Sequence, residues 1–298
     1  MSIAYTGPTS RDDDQQPSTT IECTVAHYLR TGESDFLYPA WPGSFFERAN
    51  LAHQNLRGAL VREVGRRAGG RTPHPFPNIS LEELTRAKVE PMVRGLFSRE
   101  ECDVVLDKVE RSVVFLTRDN IEQLLMQPCF DSLAWTLANL YLASLGAPLL
   151  GPNAPNLVGL SEENICYVST QYFSDDDPFA DFIVHEVAHI FHNCKRTTFG
   201  LRATRNKEWL LDIDFRKRET FAYSCEAYAR ILERAKSTTE RRTLAQEYAR
   251  ASSVSDERVD SAEVSGIIRE AAVVRNGWKF ILARCAPARH HFGNSVAI

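Results

Sequence analysis

The stretch DDDPFADFIVHEVAHIFHNC, residues 175–194, decides how the rest of the chain is read. It contains His185-Glu186-Val187-Ala188-His189, an H-E-x-x-H pattern. On a helix, side chains four apart lie one above the other, so both imidazoles reach a single metal ion, and the glutamate between them can polarise a metal-bound water. The flanks predict that helix. Asp177 suits the N-cap, Pro178 the first helical position and Asp181 the positive end of the dipole, which places His185 about two turns in. Glu186 is the one carboxylate between Phe182 and Phe191 in an otherwise apolar run, and a buried glutamate without a task is costly.

A catalytic zinc takes three protein ligands and keeps a fourth position for water, so a third ligand has to be found. The extended frame with a glycine three residues after the second histidine and a third histidine three later is absent, since His192 and Lys195 stand there. A glutamate from a later helix is the best candidate. In RETFAYSCEAYAR, residues 218–230, Glu219, Tyr223, Glu226 and Arg230 form one helical stripe, while Phe221, Cys225 and Tyr228, with Leu232 beyond, form another nearly opposite. The plain alternative is an amphipathic helix with a solvated charged face. Ala222 and Ala229, beside the polar stripe, permit a second helix to approach closely.

From the strand preceding the motif to Arg230, the chain resembles the zincin metallopeptidases, and among them the gluzincin type, in which H-E-x-x-H is completed by a glutamate from a following helix, commonly in E-x-x-A-D. Glu219-Thr220-Phe221-Ala222-Tyr223 matches that frame with tyrosine in place of aspartate, and Glu226-Ala227-Tyr228-Ala229 matches part of it. The resemblance implies zinc held by His185, His189 and Glu219, with Glu226 as the alternative third ligand. It also implies Glu186 as general base in peptide-bond hydrolysis, on a peptide or protein substrate. Tyr223 is a candidate oxyanion donor. The missing aspartate commonly supports a zinc-bound histidine, a task open here to Tyr223, Glu226 or His192. The other readings are a zinc-bound helical regulatory or interaction protein without turnover, and a purely structural helix with no metal.

Composition frames these expectations. A chain of 298 residues with 43% hydrophobic content can build a sizeable core, and a net charge of −4 gives no nucleic-acid footprint. The apolar segment 132–145 is shorter than the roughly 20 residues that span a bilayer, so no membrane partner is expected. Seven scattered cysteines without a C-x-x-C pair argue against a disulfide scaffold and for a reducing, cytoplasmic setting. Residues 1–20 are polar and acidic, lack a signal-like apolar run, and read as a disordered tail.

Outward from the motif, the expected fold is mainly α with a small β-sheet. A zincin-like catalytic region covers 151–298, and a helical region, 21–150, packs on it. Phe36, Tyr38, Trp41, Phe45 and Phe46 read as core-packing aromatics ahead of a helix over 44–67. Residues 69–78, with two glycines and three prolines, make a loop. Ser80 with Glu83 opens a helix to 97, broken or kinked at Pro91, and two helices follow over 99–127. Asp131 is expected to cap a central helix that Gly146 ends. Residues 164–173 carry the clearest strand signal, leading straight into the motif helix and offering an edge for an extended substrate. Beyond an irregular basic stretch, helices are expected over 215–236, over 239–251 and, as two or more, within 255–284.

Overall fold

The helix that carries the motif is α7 (Phe182–Asn193), and it begins one residue after Asp181, whose carboxylate accepts from the Val184 N–H at 3.3 Å. The computed structural model describes residues 20–288 apart from 72–76, 128–129, 156, 205–206, 252–253 and 255. Asp177 is therefore not the cap. Its carboxylate closes a turn by accepting from the Phe179 N–H at 2.8 Å, Pro178 stays outside the helix, and His185 lies one turn in rather than two. Nine of the twelve α7 residues are buried, six of them the large apolar side chains Phe182, Ile183, Val184, Val187, Ile190 and Phe191. At roughly 1.5–3 kcal/mol for each such side chain, their burial outweighs the cost of carrying Glu186 and His189 inward on the same helix.

The architecture is mainly α with a small sheet, as the sequence predicts. Among the described residues there are eleven α-helices and a three-stranded sheet of order β1-β3-β2. β1 (Val113–Phe115) runs parallel to β3 (Ile165–Val168), and β2 (Gly159–Glu162) runs antiparallel to it, with Gly159 opposite Val168. Side chains alternate across a strand, so the sheet divides two cores. Cys166 and Val168 face one core, built with α7, α3 (Leu81–Leu96), α4 (Arg99–Val109), α8 (Arg218–Arg234) and α11 (Gly277–Cys285). Tyr167 faces the other, built from α1 (Ile21–Thr31), α2 (Phe45–Ala68), α5 (Ile121–Met126) and α6 (Asp131–Ser144). A third apolar cluster joins α8 to α9 (Thr238–Ala251) and α10 (Ser261–Ala271).

Several expectations need correction. The strand over 164–173 is only β3, because Thr170–Ser174 closes into a 3-10 turn before α7. β3 is also paired on both edges, so it offers none to a substrate. α3 runs unbroken through Pro91, whose neighbours Val89, Met92 and Val93 are fully buried and hold the segment by tertiary packing. Tyr38 and Trp41 are buried, but Phe36, Phe45 and Phe46 are exposed at 71%, 44% and 77%; the last two open α2, six residues before its first buried position, Ala52. The N-cap of α6 is Phe130, not Asp131. The Asp131 carboxylate is instead a buried hub, 2.8 Å from His53 Nδ1, and it accepts from Arg57 Nε at 3.3 Å, Ser34 Oγ at 3.1 Å and Tyr38 OH at 3.3 Å.

Gly146 does take the left-handed conformation expected at the end of α6, with φ 59°. The tail expected at 1–20 lies, except for Thr20, outside the described residues, as does the middle of the 69–78 loop. Thr20 caps α1 by accepting from the Cys23 N–H. No helix among the described residues is long and apolar enough to cross a membrane, and the six described cysteines are free thiols.

Candidate metal centre

α7 and α8 meet with small, fully buried residues on each, Ala188 and Ala222, in the same core. That contact brings the α8 stripe onto the motif. His185 and His189 present their Nε2 atoms 3.2 Å apart, and Glu219 Oε2 lies 3.2 Å from His189 Nε2 and 3.9 Å from His185 Nε2. Donors about 2.05 Å from a tetrahedral ion stand about 3.3 Å from one another, so these separations suit a single ion. His185, His189 and Glu219 form a group that can hold a metal ion.

The other nitrogen of each imidazole is engaged on the far side. His185 Nδ1 lies 3.0 Å from Glu226 Oε2, and Glu226 Oε1 accepts from the Asp181 N–H at 2.8 Å. His189 Nδ1 lies 2.9 Å from His192 Nε2. Of the three residues open to the supporting task, Glu226 is the one beside Nδ1 of His185 and His192 the one beside Nδ1 of His189. Glu226 faces the Nδ1 side of His185, and it is Glu219 that joins the two Nε2 atoms.

The hydrogen bonds also set the chemistry of the donors. A carboxylate only accepts, so His185 donates from Nδ1 to Glu226, and in its neutral form it keeps a lone pair on Nε2. Burial, together with the charge of His189, pushes His192 down to about 4, so it is neutral at pH 7 and can accept from His189 Nδ1–H. Two imidazole nitrogens and a carboxylate oxygen then converge at hydrogen-bond distances. Only something positive between them, a proton or a metal ion, makes that arrangement favourable.

The surrounding charge points the same way. Burial works against a charged His185, but the bond and charge of Glu226, with Glu186 and Glu219, raise it to about 9. Burial likewise opposes the charge on Glu219, which is nonetheless held below the ordinary carboxylate value by His189, Arg258 and His185. Glu186 is 6% exposed, and burial raises its carboxyl above the usual range despite both histidines. Its carboxylate lies against Gly159 of β2, where a side chain would collide: an added Cβ would stand 2.5 Å from Oε1 and 2.7 Å from Cγ.

The centre opens into a cleft of about 720 Å³, bordered by β2 and the residues just before it, by α8, and by the loop that leads to α10. Tyr223 stands over His185, with ring centroids 4.6 Å apart and planes at 74°. Burial, with Glu226, Asp256 and Glu219 nearby, pushes its hydroxyl up to about 12, so the phenol is protonated at neutral pH. The candidate ligand and catalytic residues read from the sequence, His185, Glu186, His189, Glu219, Tyr223 and Glu226, thus all line this cleft. Gly159, Asp256 and Arg258 join it without any signal in the sequence. Gly159 matters through a contact between β2 and α7, and Arg258 lies 39 residues beyond Glu219, outside any helical or motif spacing. Comparisons with protein-family models, with curated proteins and with solved structures give no match.

Proposed function

We propose that this chain is a zinc-dependent metallopeptidase of the gluzincin type, with His185, His189 and Glu219 as ligands and Glu186 as general base. The observation that carries the reading is the convergence of two imidazole nitrogens and one carboxylate oxygen, beside a buried carboxylate, at the floor of an open cleft. Two nitrogens and one oxygen are a donor set that suits zinc, and the excess negative charge around the imidazoles suits a divalent cation. When bound, zinc acts as a Lewis acid that polarises a carbonyl and brings the pKa of a water to about 7.

The protein's own groups divide the remaining work. Glu186 takes a proton from the attacking water and returns it to the leaving amine nitrogen, and its raised pKa makes it a stronger base than an ordinary carboxylate. Tyr223 donates a hydrogen bond to the oxygen on which charge develops, which its high pKa allows. The substrate backbone is read by β2. The Val158 carbonyl accepts from the Ser169 N–H, so in the antiparallel alternation the peptide groups of Gly159 and Ser161 point away from β3, toward the cleft. An extended peptide pairs there as a fourth strand. The free thiols suit a reducing compartment such as the cytoplasm.

The test is cleavage of a complex peptide mixture by zinc-loaded protein, with Glu186→Gln as control. The expected result is cleavage by the parent and a loss of at least about 10²-fold in the variant at equal zinc content. Equal turnover by both would remove Glu186 from the mechanism. Zinc retention with no turnover in either would make this a binding centre instead.

A further inference from the structure

The loop between α9 and α10 reaches back to the metal centre through one side chain. Arg258 Nη1 lies 3.0 Å from Glu219 Oε1, the oxygen that does not face the imidazoles. The arginine is itself fixed by Asp256. Asp256 Oδ1 accepts from Arg258 Nε and from the Arg258 backbone N–H, both at 2.9 Å, and Oδ2 lies 3.1 Å from Nε. The turn that carries them is closed by the Val259 N–H to the Asp256 carbonyl at 3.0 Å. It is anchored to α10 by Ser261 Oγ, which accepts from the Val254 N–H at 3.1 Å and donates to the Val254 carbonyl at 3.3 Å.

We propose that Arg258, held by Asp256, is a positioning residue for Glu219: it occupies Oε1 so that the carboxylate offers Oε2 alone to a metal at His185 and His189. The proposal rests on the metal-centre reading and deepens it. Two features favour it over a surface ion pair that merely covers the cleft. Glu219 is nearly buried, its side chain 12% exposed, so an unsatisfied Oε1 would be costly and would tend to turn toward the imidazoles. The clamp is also asymmetric. Arg218, next to Glu219 in sequence, stays 3.9 Å from Oε1, while the sequence-distant Arg258 makes the hydrogen-bond-length contact. A carboxylate free to offer both oxygens would take up an extra coordination position. Glu219 with one oxygen tied leaves that position to the substrate or water.

The experiment uses the full chain and reads the metal, not only turnover. Zinc affinity is measured by competition with a chromophoric chelator, and the visible absorption of the cobalt(II)-loaded protein reports coordination number, four-coordinate cobalt absorbing far more strongly than six-coordinate. Parent, Arg258→Ala, Arg258→Lys and Asp256→Asn are compared, with His189→Ala as the control that abolishes the site. The expected result is a 10–100-fold loss of zinc affinity and a weaker cobalt band in Arg258→Ala, partial recovery in Arg258→Lys, and a smaller loss in Asp256→Asn. The side chain of Arg258 is 60% exposed, so these variants should fold, and thermal melts of the metal-free proteins check it. If Arg258→Ala proves unstable, Arg258→Lys and Asp256→Asn carry the comparison. Affinity within twofold of the parent and an unchanged cobalt band, in a parent that binds one metal and a His189→Ala variant that binds none, overturn the proposal alone. A parent that takes up no metal overturns the metal-centre reading as well.

Discussion

Replacing Gly159 with alanine puts a methyl group where the Glu186 carboxylate now lies. The backbone there does not take the left-handed conformation that favours glycine, so alanine adds no backbone strain and the effect comes from the contact. The new Cβ would stand 2.5 Å from Oε1, against about 3.4 Å for ordinary contact, so the carboxylate must retreat by about 0.9 Å. It has little room, being 6% exposed among fully buried residues such as Val187 and Cys166. A displacement of about 1 Å in a catalytic group costs about 10²-fold in rate, or about 2.7 kcal/mol in barrier height. The side chains of His185, His189 and Glu219 are untouched. Gly159→Ala is therefore expected to keep one zinc per chain and to lose about 10²-fold in kcat/KM on any peptide the parent cleaves. Serine at the same position should behave alike. Zinc retention with kcat/KM within threefold of the parent would refute the placement of Glu186 as general base against β2.

Other perturbations separate the centre from its scaffold. Glu226→Gln keeps a hydrogen-bond acceptor opposite His185 Nδ1 but removes its charge, and zinc affinity measured by chelator competition should fall 10–100-fold. Asp131→Ala removes the carboxylate shared by His53, Arg57, Tyr38 and Ser34, and denaturant unfolding should show a loss of about 3–5 kcal/mol, with zinc binding by the folded protein unchanged. On the surface of α2, hydrogen bonding from Arg66, against burial and aided by Arg67, lowers Glu63 to about 2. Its contribution is complete above the unfolded carboxyl value and is lost as pH falls toward 2. Because Arg66 is 69% exposed, screening reduces the effect to about 1 kcal/mol. Glu63→Gln should therefore be less stable than the parent at pH 7 and equal to it near pH 2 in paired thermal melts.

What the sequence made legible is the part governed by local spacing. His185 and His189 share a face because the helix repeat puts them there, and the α8 stripe of Glu219, Tyr223 and Glu226 follows from the same repeat. Even the division of labour between Glu219 and Glu226 was half visible, as two candidates for one ligand position. Which of them meets the Nε2 atoms depends on how α7 and α8 are set against each other, and no spacing within either helix encodes that.

The differences between sequence and fold have the same origin. Asp177 and Pro178 form a plausible helix start, yet Asp177 spends its carboxylate on a turn and Asp181 caps instead, placed by its backbone bond to Glu226 on another helix. β2 has the sequence Gly-Leu-Ser-Glu, with no apolar alternation to betray it, and is a strand because β3 provides the partner. Asp131 sits where a cap would, and becomes a hub because α1, α2 and the loop between them close over it. Phe36, Phe45 and Phe46 looked like anchors by their size, but anchoring depends on the side of the segment that meets the core. Gly159 and Arg258 are defined wholly by contacts across the fold.

The most direct test of the metal centre is anomalous diffraction at the zinc edge from crystals of the parent chain grown with zinc. The structure predicts a single strong peak about 2 Å from His185 Nε2, His189 Nε2 and Glu219 Oε2, absent in His189→Ala crystals. No peak among these three atoms, or a peak coordinated instead by Glu226, would contradict it.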